Sequence, residues 1–177
     1  MVPHIVFNEK EKTYFPAADF YEITRSPYAP NHIGTSGMTQ SPMHAIACYY
    51  IYANDTDNQK TKPREFLKQI YPKLKLFHKY LMTDRDPEKS DLVTILHPWE
   101  SGLDDSPVWD HALSQIKIEH VLKFQRLDVI EVGGAKNTIP TDDMYNKFIY
   151  MIELMKQYNY DEKMMYENFP FKIKAII

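Results

Sequence analysis

Cysteine is all but absent: the 177-residue chain has one, Cys48. That excludes an internal disulfide and a thiolate zinc cluster. Cys48 falls in an apolar helical pattern, which predicts a buried, inert thiol. Charge of one sign is also scarce, with 21 Lys and Arg against 24 Asp and Glu and a net charge of -3. No basic face is available to neutralise phosphates, so nucleic acid is not an expected partner. No run approaches the roughly 18 apolar residues of a membrane span, and the N-terminus lacks the pattern of a signal peptide. A membrane is therefore not expected either, and the expected compartment is the cytoplasm. The seven histidines never fall within one helical turn of each other, and the acidic residues lack the alternation of a calcium loop. There is no Gly-x-Ser-x-Gly elbow and no glycine-rich phosphate loop. Neither a metal nor a cofactor is expected.

What the chain does have is apolar bulk: 44% hydrophobic residues and 14% aromatics, with 13 Tyr and 9 Phe. The length suits one unit with its own core. Residues 1–38 show little helical period and read as an extended arm followed by aromatic-proline loop. A first helix is predicted over residues 41–53, with Ser41 as N-cap, Pro42 at the first helical position, and Ile46, Tyr49, Tyr50 and Ala53 as its apolar face. A second starts near Thr61. Its stripe of Leu67, Ile70, Leu74, Phe77 and Leu81 alternates three and four apart. Pro72 lies inside that stripe and predicts a kink or break. The charged segment 84–89 closes it, and residues 92–96 form a short apolar run. A third helix is predicted from Ser106-Pro107, carrying Trp109, Leu113, Ile116 and Phe124. Gly133 and Gly134 mark a loop. Thr141 is the expected cap of a fourth helix lined by Met144, Phe148, Met151, Ile152 and Met155, with Asp142 and Asp143 at its positive end. A shorter helix follows over residues 161–168, and then an apolar tail. The expected class is all-α with short strand-like pieces.

The densest chemistry lies in His97-Pro98-Trp99-Glu100-Ser101-Gly102-Leu103-Asp104-Asp105-Ser106-Pro107-Val108-Trp109-Asp110, with four carboxylates and two tryptophans in fourteen residues. Carboxylates beside flat aromatic faces suit sugar cleavage: one carboxyl moves a proton while the rings stack on the sugar. Asp104 is the candidate for that proton. Crowding by Asp105 pushes its pKa up and a following helix start pushes it down, and the sequence leaves the balance open. The plain alternative is that Asp105 or Ser106 caps the helix and Asp104 is a solvated neighbour. Glu100 is a candidate for a sugar hydroxyl or for tuning Asp104, against an ordinary salt bridge to Lys or Arg. Trp99, in an irregular segment, is the better platform; Trp109, in a helical stripe, is expected in the core.

In this order the motif resembles the signature of glycoside hydrolase family 63 and its relatives, among them the mannosylglycerate and glucosylglycerate hydrolases and, more distantly, the trehalases. Met38-Thr39-Gln40-Ser41-Pro42-Met43-His44-Ala45 is similar to that family's glutamine-proline segment. Met1-Val2-Pro3-His4-Ile5-Val6-Phe7 with Tyr14-Phe15-Pro16 resembles an upstream segment, and Pro140-Thr141-Asp142-Asp143-Met144-Tyr145 a downstream helix start. The resemblance implies part, about half, of an (α/α)6 toroid of six helical hairpins around a sugar-holding funnel. It implies an inverting α-glycosidase with Asp104 as general acid and Trp99, Gly102 and Gln40 in the substrate pocket. Tyr14 and Tyr145 match further pocket positions. Asp105 stands where the family usually has Asn, beside the substrate and next to the acid, where its charge should raise the pKa of Asp104. Ile139 stands where the glycerate-specific branch carries an Arg that pairs with the substrate carboxylate, which points toward a neutral glycoside. A complete toroid needs roughly twice this many residues, so the chain is expected to be a fragment that lacks the general base and is inactive alone. Bare apolar helix faces are expected to favour self-association or pairing with the rest of the toroid. The alternative from another class is a non-catalytic helical module that binds carbohydrate or serves assembly.

Overall fold

The computed structural model describes residues 1–11, 15–56, 61–118, 123–124, 140–169 and 173–175. Tyr14, Ile139, Gly133 and Gly134 lie outside them. The described chain is mostly helical: α1 (Ala18–Tyr21), α2 (His44–Asn54), α3 (Thr61–Thr83), α4 (Asp110–Ser114), α5 (Asp142–Gln157) and α6 (Glu162–Asn168). Two short strands, β1 (Val93–Ile95) and β2 (Ile173–Ala175), pair with each other. None of the described helices is long and apolar enough to cross a membrane. The chain divides into two compact units, one built on residues 41–94 with both chain ends, the other on residues 3–40 and 95–173.

In the first unit α2 packs against α3. The α3 stripe is buried at its C-terminal end, where Phe77 and Leu81 join Val93 and are covered by Val2 and Tyr80, while Leu67, Ile70 and Leu74 are half-buried. Pro72 does not break α3, which runs as one helix through it. Pro72 and Lys68 are both exposed, so the Lys68 carbonyl that loses its helical donor faces solvent and can be hydrated. The start of α2 differs from expectation. It begins at His44 after Met43, which makes no side-chain cap, because Ser41 instead accepts the Met43 amide through its carbonyl in a turn (2.8 Å). Of this helix only Cys48 is buried. The stripe expected to be its core face stays uncovered, with Ile46, Tyr49 and Tyr50 exposed at 49%, 63% and 58%. The charged segment after α3 is less solvated than its composition suggests. Arg85 is buried and donates from Nε to the Tyr80 hydroxyl (2.8 Å). Asp86 is buried and accepts the amides of Ser90 and Asp91.

In the second unit the N-terminal arm pairs antiparallel with residues 34–39, through bridges Pro3–Thr39 and Val6–Thr35. Its core is dominated by α5, whose Phe148, Ile149, Met151, Ile152 and Met155 are almost fully buried, together with Tyr21, Met38, Leu96, Trp109 and Leu113. Thr141 caps α5 by accepting the Met144 amide on Oγ1 (3.3 Å), and Asp161 caps α6 through Met164 (2.8 Å). The Thr141 cap follows from sequence. The third predicted helix is shorter than expected: a 3₁₀ turn, Pro107–Trp109, leads into the single turn of α4. The β-branched pair Ile116 and Ile118 follows, a poor continuation for a helix. Trp109, Leu113 and Ile116 are still buried.

Gly37 is fixed by a close approach. A Cβ there would lie 1.9 Å from the Tyr160 ring. Tyr160 in turn donates its hydroxyl to the Tyr21 carbonyl, so the ring is held from both ends.

Candidate active site

The acidic motif folds as two small turns fastened at several points. His97 is the N-cap of the 3₁₀ turn Pro98–Ser101, with Pro98 at the first position, where a missing N–H costs nothing. Gly102 ends the turn in the left-handed region, φ 69°, which favours glycine. Ser101 donates to the Pro98 carbonyl (2.6 Å) and accepts the Leu103 amide (2.9 Å). Trp109 donates from its indole N–H to the Leu103 carbonyl (2.7 Å). The residue before Asp104 is therefore held on both sides. Ser106 accepts the Val108 amide and caps the second turn, as the plain alternative has it, but Asp104 is partly buried while its neighbour Asp105 is exposed.

His97 is fully buried and both ring nitrogens are engaged. Nδ1 accepts the Trp99 amide (3.1 Å), and Nε2 lies 3.1 Å from the Phe148 carbonyl. A carbonyl only accepts, so Nε2 carries the proton and the ring is neutral. Burial pushes its pKa down to about 4, against the opposing pull of the Phe148 carbonyl and the Glu100 charge.

Glu100 is buried, and its carboxylate is engaged by backbone: Oε1 accepts the Thr39 amide (3.0 Å) and Oε2 the Leu96 amide (2.9 Å). The Thr39 bond joins the motif to the segment that carries Gln40. A sugar hydroxyl at Glu100 would share oxygens already occupied.

Trp99 is partly exposed. Its indole lies against His97 (4.7 Å between centroids), Phe148 (5.6 Å) and Tyr145 (6.0 Å), and runs nearly parallel to the His4 imidazole (6.4 Å, 9°). Tyr145 is buried and donates its hydroxyl to the Phe15 carbonyl (3.0 Å). Phe124 stacks on Phe15 (4.8 Å) and leans on Tyr145 (5.5 Å), extending the aromatic wall. The structure therefore brings Trp99 and Tyr145 into ring contact and ties Glu100 to the backbone next to Gln40. Gly102 is exposed on its turn.

The sequence reading passed over His4. Burial lowers its pKa, opposed by the charges of Asp104 and Glu100. His4 thus lies within electrostatic reach of both carboxylates, and its ring runs parallel to the Trp99 indole. A lone histidine in an extended arm carries no local signal for this; only the pairing of the arm with residues 34–39 reveals it. No group of three or more His, Cys, Asp or Glu that could hold a metal is found among the described residues.

Residues 1–175 match the family model of the mannosylglycerate hydrolase MGH1-like glycoside hydrolase domain. The chain belongs to that family. Among relatives of this glycoside hydrolase domain, the mannosylglycerate hydrolase of Thermus thermophilus is 36% identical over 175 residues, covering 98% of this chain and 40% of the relative. The glucosylglycerate hydrolase of Mycolicibacterium hassiacum is 32% identical over 180 residues, covering 99% and 40%. A crystal structure of the glycoside hydrolase family 63 mannosylglycerate hydrolase from Thermus thermophilus, in complex with Tris and D-glycerate, superposes with a TM-score of 0.84 at 37% identity, covering 97% of this chain and 38% of that one. The chain thus spans about 40% of the length of the curated relatives it matches.

Proposed function

We propose that this chain is the acid-bearing part of an inverting α-glycosidase built on an (α/α)6 toroid, acting on α-mannosides or α-glucosides in the cytoplasm. The two units would belong to one catalytic domain. Asp104 donates its proton to the glycosidic oxygen as the bond to the anomeric carbon breaks. Water attacks that carbon from the opposite face and loses a proton to a second carboxylate. In inverting enzymes the two carboxyls stand about 6.5–9.5 Å apart. That base is supplied from outside these 177 residues, so the chain alone does not turn substrate over. Trp99 offers the apolar plane, and Gln40, Gly102, Glu100, Asp105, Tyr14 and Tyr145 border the sugar. Ile139, in place of an arginine, favours a neutral leaving group over a carboxylate-bearing one.

The observation that supports this reading is the fastening of the motif around Asp104: Ser101 and Trp109 hold Leu103, and Ser106 caps the turn that follows. A partly buried carboxyl and a partly exposed indole thus lie five residues apart in one fastened motif, in a family of glycoside hydrolases.

Two measurements test it. Proton NMR of the complete gene product acting on an α-glycoside is expected to show the β-anomer of the sugar first. Early release of the α-anomer contradicts inversion. The purified 177 residues are expected to show no hydrolysis. Turnover by them that is abolished in Asp104→Ala overturns the division of the two carboxyls between this chain and another part.

A further inference from the structure

The helix that carries Tyr145 also carries a buried cation that takes no part in the proton transfer. Lys156 is only 6% exposed. Burying a charge is costly, and an aliphatic side chain would fill the same place without that cost. The ammonium donates to Glu153 Oε1 (2.6 Å), lies 3.6 Å from Glu22 Oε1, and sits over the Phe20 ring, 4.1 Å from its centroid. At that range a cation is drawn to the negative face of an aromatic ring. Lys156 and Tyr145 stand eleven residues apart on α5, close to three turns. They therefore share one face of the helix, about 16 Å apart along its axis. Residues 15–22 span the same interval and are fastened at both ends. Phe15 accepts the Tyr145 hydroxyl on its carbonyl (3.0 Å) at one end, and Phe20 and Glu22 meet Lys156 at the other. Tyr160 donates to the Tyr21 carbonyl between them. Within the segment, Phe20 meets the Phe15 ring edge to face (5.1 Å). From Phe15 the ring contacts continue to Phe124 (4.8 Å), to Tyr145 (5.5 Å) and to Trp99 (6.0 Å).

We propose that Lys156 is a positioning residue of the sugar site: it holds Phe20 and, through Phe15, sets the Tyr145 ring against Trp99. The inference rests on the hydrolase reading above and adds to it a residue that meets no substrate. A hydrocarbon in this place would fill the space, but apolar contact has no direction and would leave the Phe20 ring free to turn. The ammonium has direction, because it needs the ring face on one side and carboxylates on the others. Those carboxylates come from two elements, Glu153 from α5 itself and Glu22 from the residue after α1. The charge therefore pins the segment to the helix. Stacked and edge-to-face ring contacts each prefer a narrow geometry, so an orientation fixed at Phe20 is passed along the row. The charge can be removed without stranding its partners. The Glu153 and Glu22 side chains are 32% and 44% exposed, so water reaches both once the ammonium is gone.

The test uses the complete gene product with an α-mannoside and an α-glucoside. Lys156→Met keeps the length of the side chain and deletes the charge. It is expected to raise KM roughly fivefold with kcat little changed, as for a wall contact made equally in ground and transition states. Lys156→Arg keeps a cation over the ring, and most of the KM is expected to return. Phe15→Leu cuts the row of rings, so Lys156→Met added to it should raise KM no further. A loss of stability by itself produces none of these patterns. The indole N–H signals of isotope-labelled tryptophan give a readout that needs no turnover. In Lys156→Met the Trp99 signal is expected to shift, while that of Trp109, bonded to the Leu103 carbonyl, stays in place. A KM of Lys156→Met within about twofold of native, equal KM values for the Met and Arg variants, additive effects in the double variant, or an unmoved Trp99 signal overturns the assignment. If native protein shows no turnover, the hydrolase reading fails by itself and the indole signals decide the positioning role. A Trp99 shift in Lys156→Met that Lys156→Arg reverses supports it, and any other pattern refutes it.

Discussion

The Thr39 amide donates to Glu100 Oε1 at 3.0 Å across 61 positions of sequence, and the Leu96 amide fills Oε2 of the same carboxylate. A buried carboxylate that receives two backbone donors is favourable, because the amides replace the water it has lost. Remove it and two buried N–H groups are left without an acceptor. Glu100→Ala is expected to destabilise the chain by about 3 kcal/mol or more, and Glu100→Gln, which keeps one carbonyl acceptor, by less. Urea unfolding checks this. Equal midpoints for native and Glu100→Ala protein contradict the bracket.

His97 couples stability to pH. Its folded pKa is depressed to about 4, while the unfolded value is near 6.5. The unfolded chain therefore takes up the proton first as pH falls. The stability contributed by the neutral ring is complete above about pH 6.5 and is lost progressively toward pH 4, for a total of about 3 kcal/mol. Unfolding free energy should rise between pH 4 and 6.5, and an NMR titration should show the His97 ring neutral down to about pH 4. A His97 midpoint near 6.5 contradicts the account.

Gly37→Ala puts a methyl into the Tyr160 ring, which is anchored through its hydroxyl to Tyr21. A loss of roughly 2–3 kcal/mol is expected, since a pinned ring yields only by moving backbone. Adding Tyr160→Ala should recover part of it, so that the double variant is more stable than the sum of the two single losses implies. Simple additivity in thermal melts would show that the two residues do not press on each other.

The uncovered stripe of α2 is expected to drive association of the isolated chain, because exposed apolar patches of this kind attract one another. Sedimentation should show concentration-dependent oligomers, reduced in Ile46→Lys/Tyr50→Lys. A strictly monomeric native chain removes this expectation.

Local signals were legible. The α3 spacing, the Thr141 cap and the burial of Trp109 all follow from residues within one or two turns of each other. The acidic motif was legible as chemistry because its order, not only its composition, matches a hydrolase signature. What escaped depends on distant pairing. Glu100 reads as a surface ion-pair candidate until Thr39 is brought beside it. His4 has no helical or strand period around it, and its meaning comes from Trp99 and Asp104. The start of α2 was misplaced because Ser41 has the right chemistry for a cap, but its carbonyl closes a turn instead.

The most direct test of Asp104 as general acid is the dependence of its loss on the leaving group. In the complete gene product, Asp104→Ala should lower kcat/KM on an alkyl α-glycoside by about 10²–10⁴-fold, because the departing alkoxide needs a proton. On the 2,4-dinitrophenyl α-glycoside, whose leaving group departs without one, the loss should be far smaller. Equal losses on both substrates, or full activity on the alkyl glycoside, would contradict the role of Asp104.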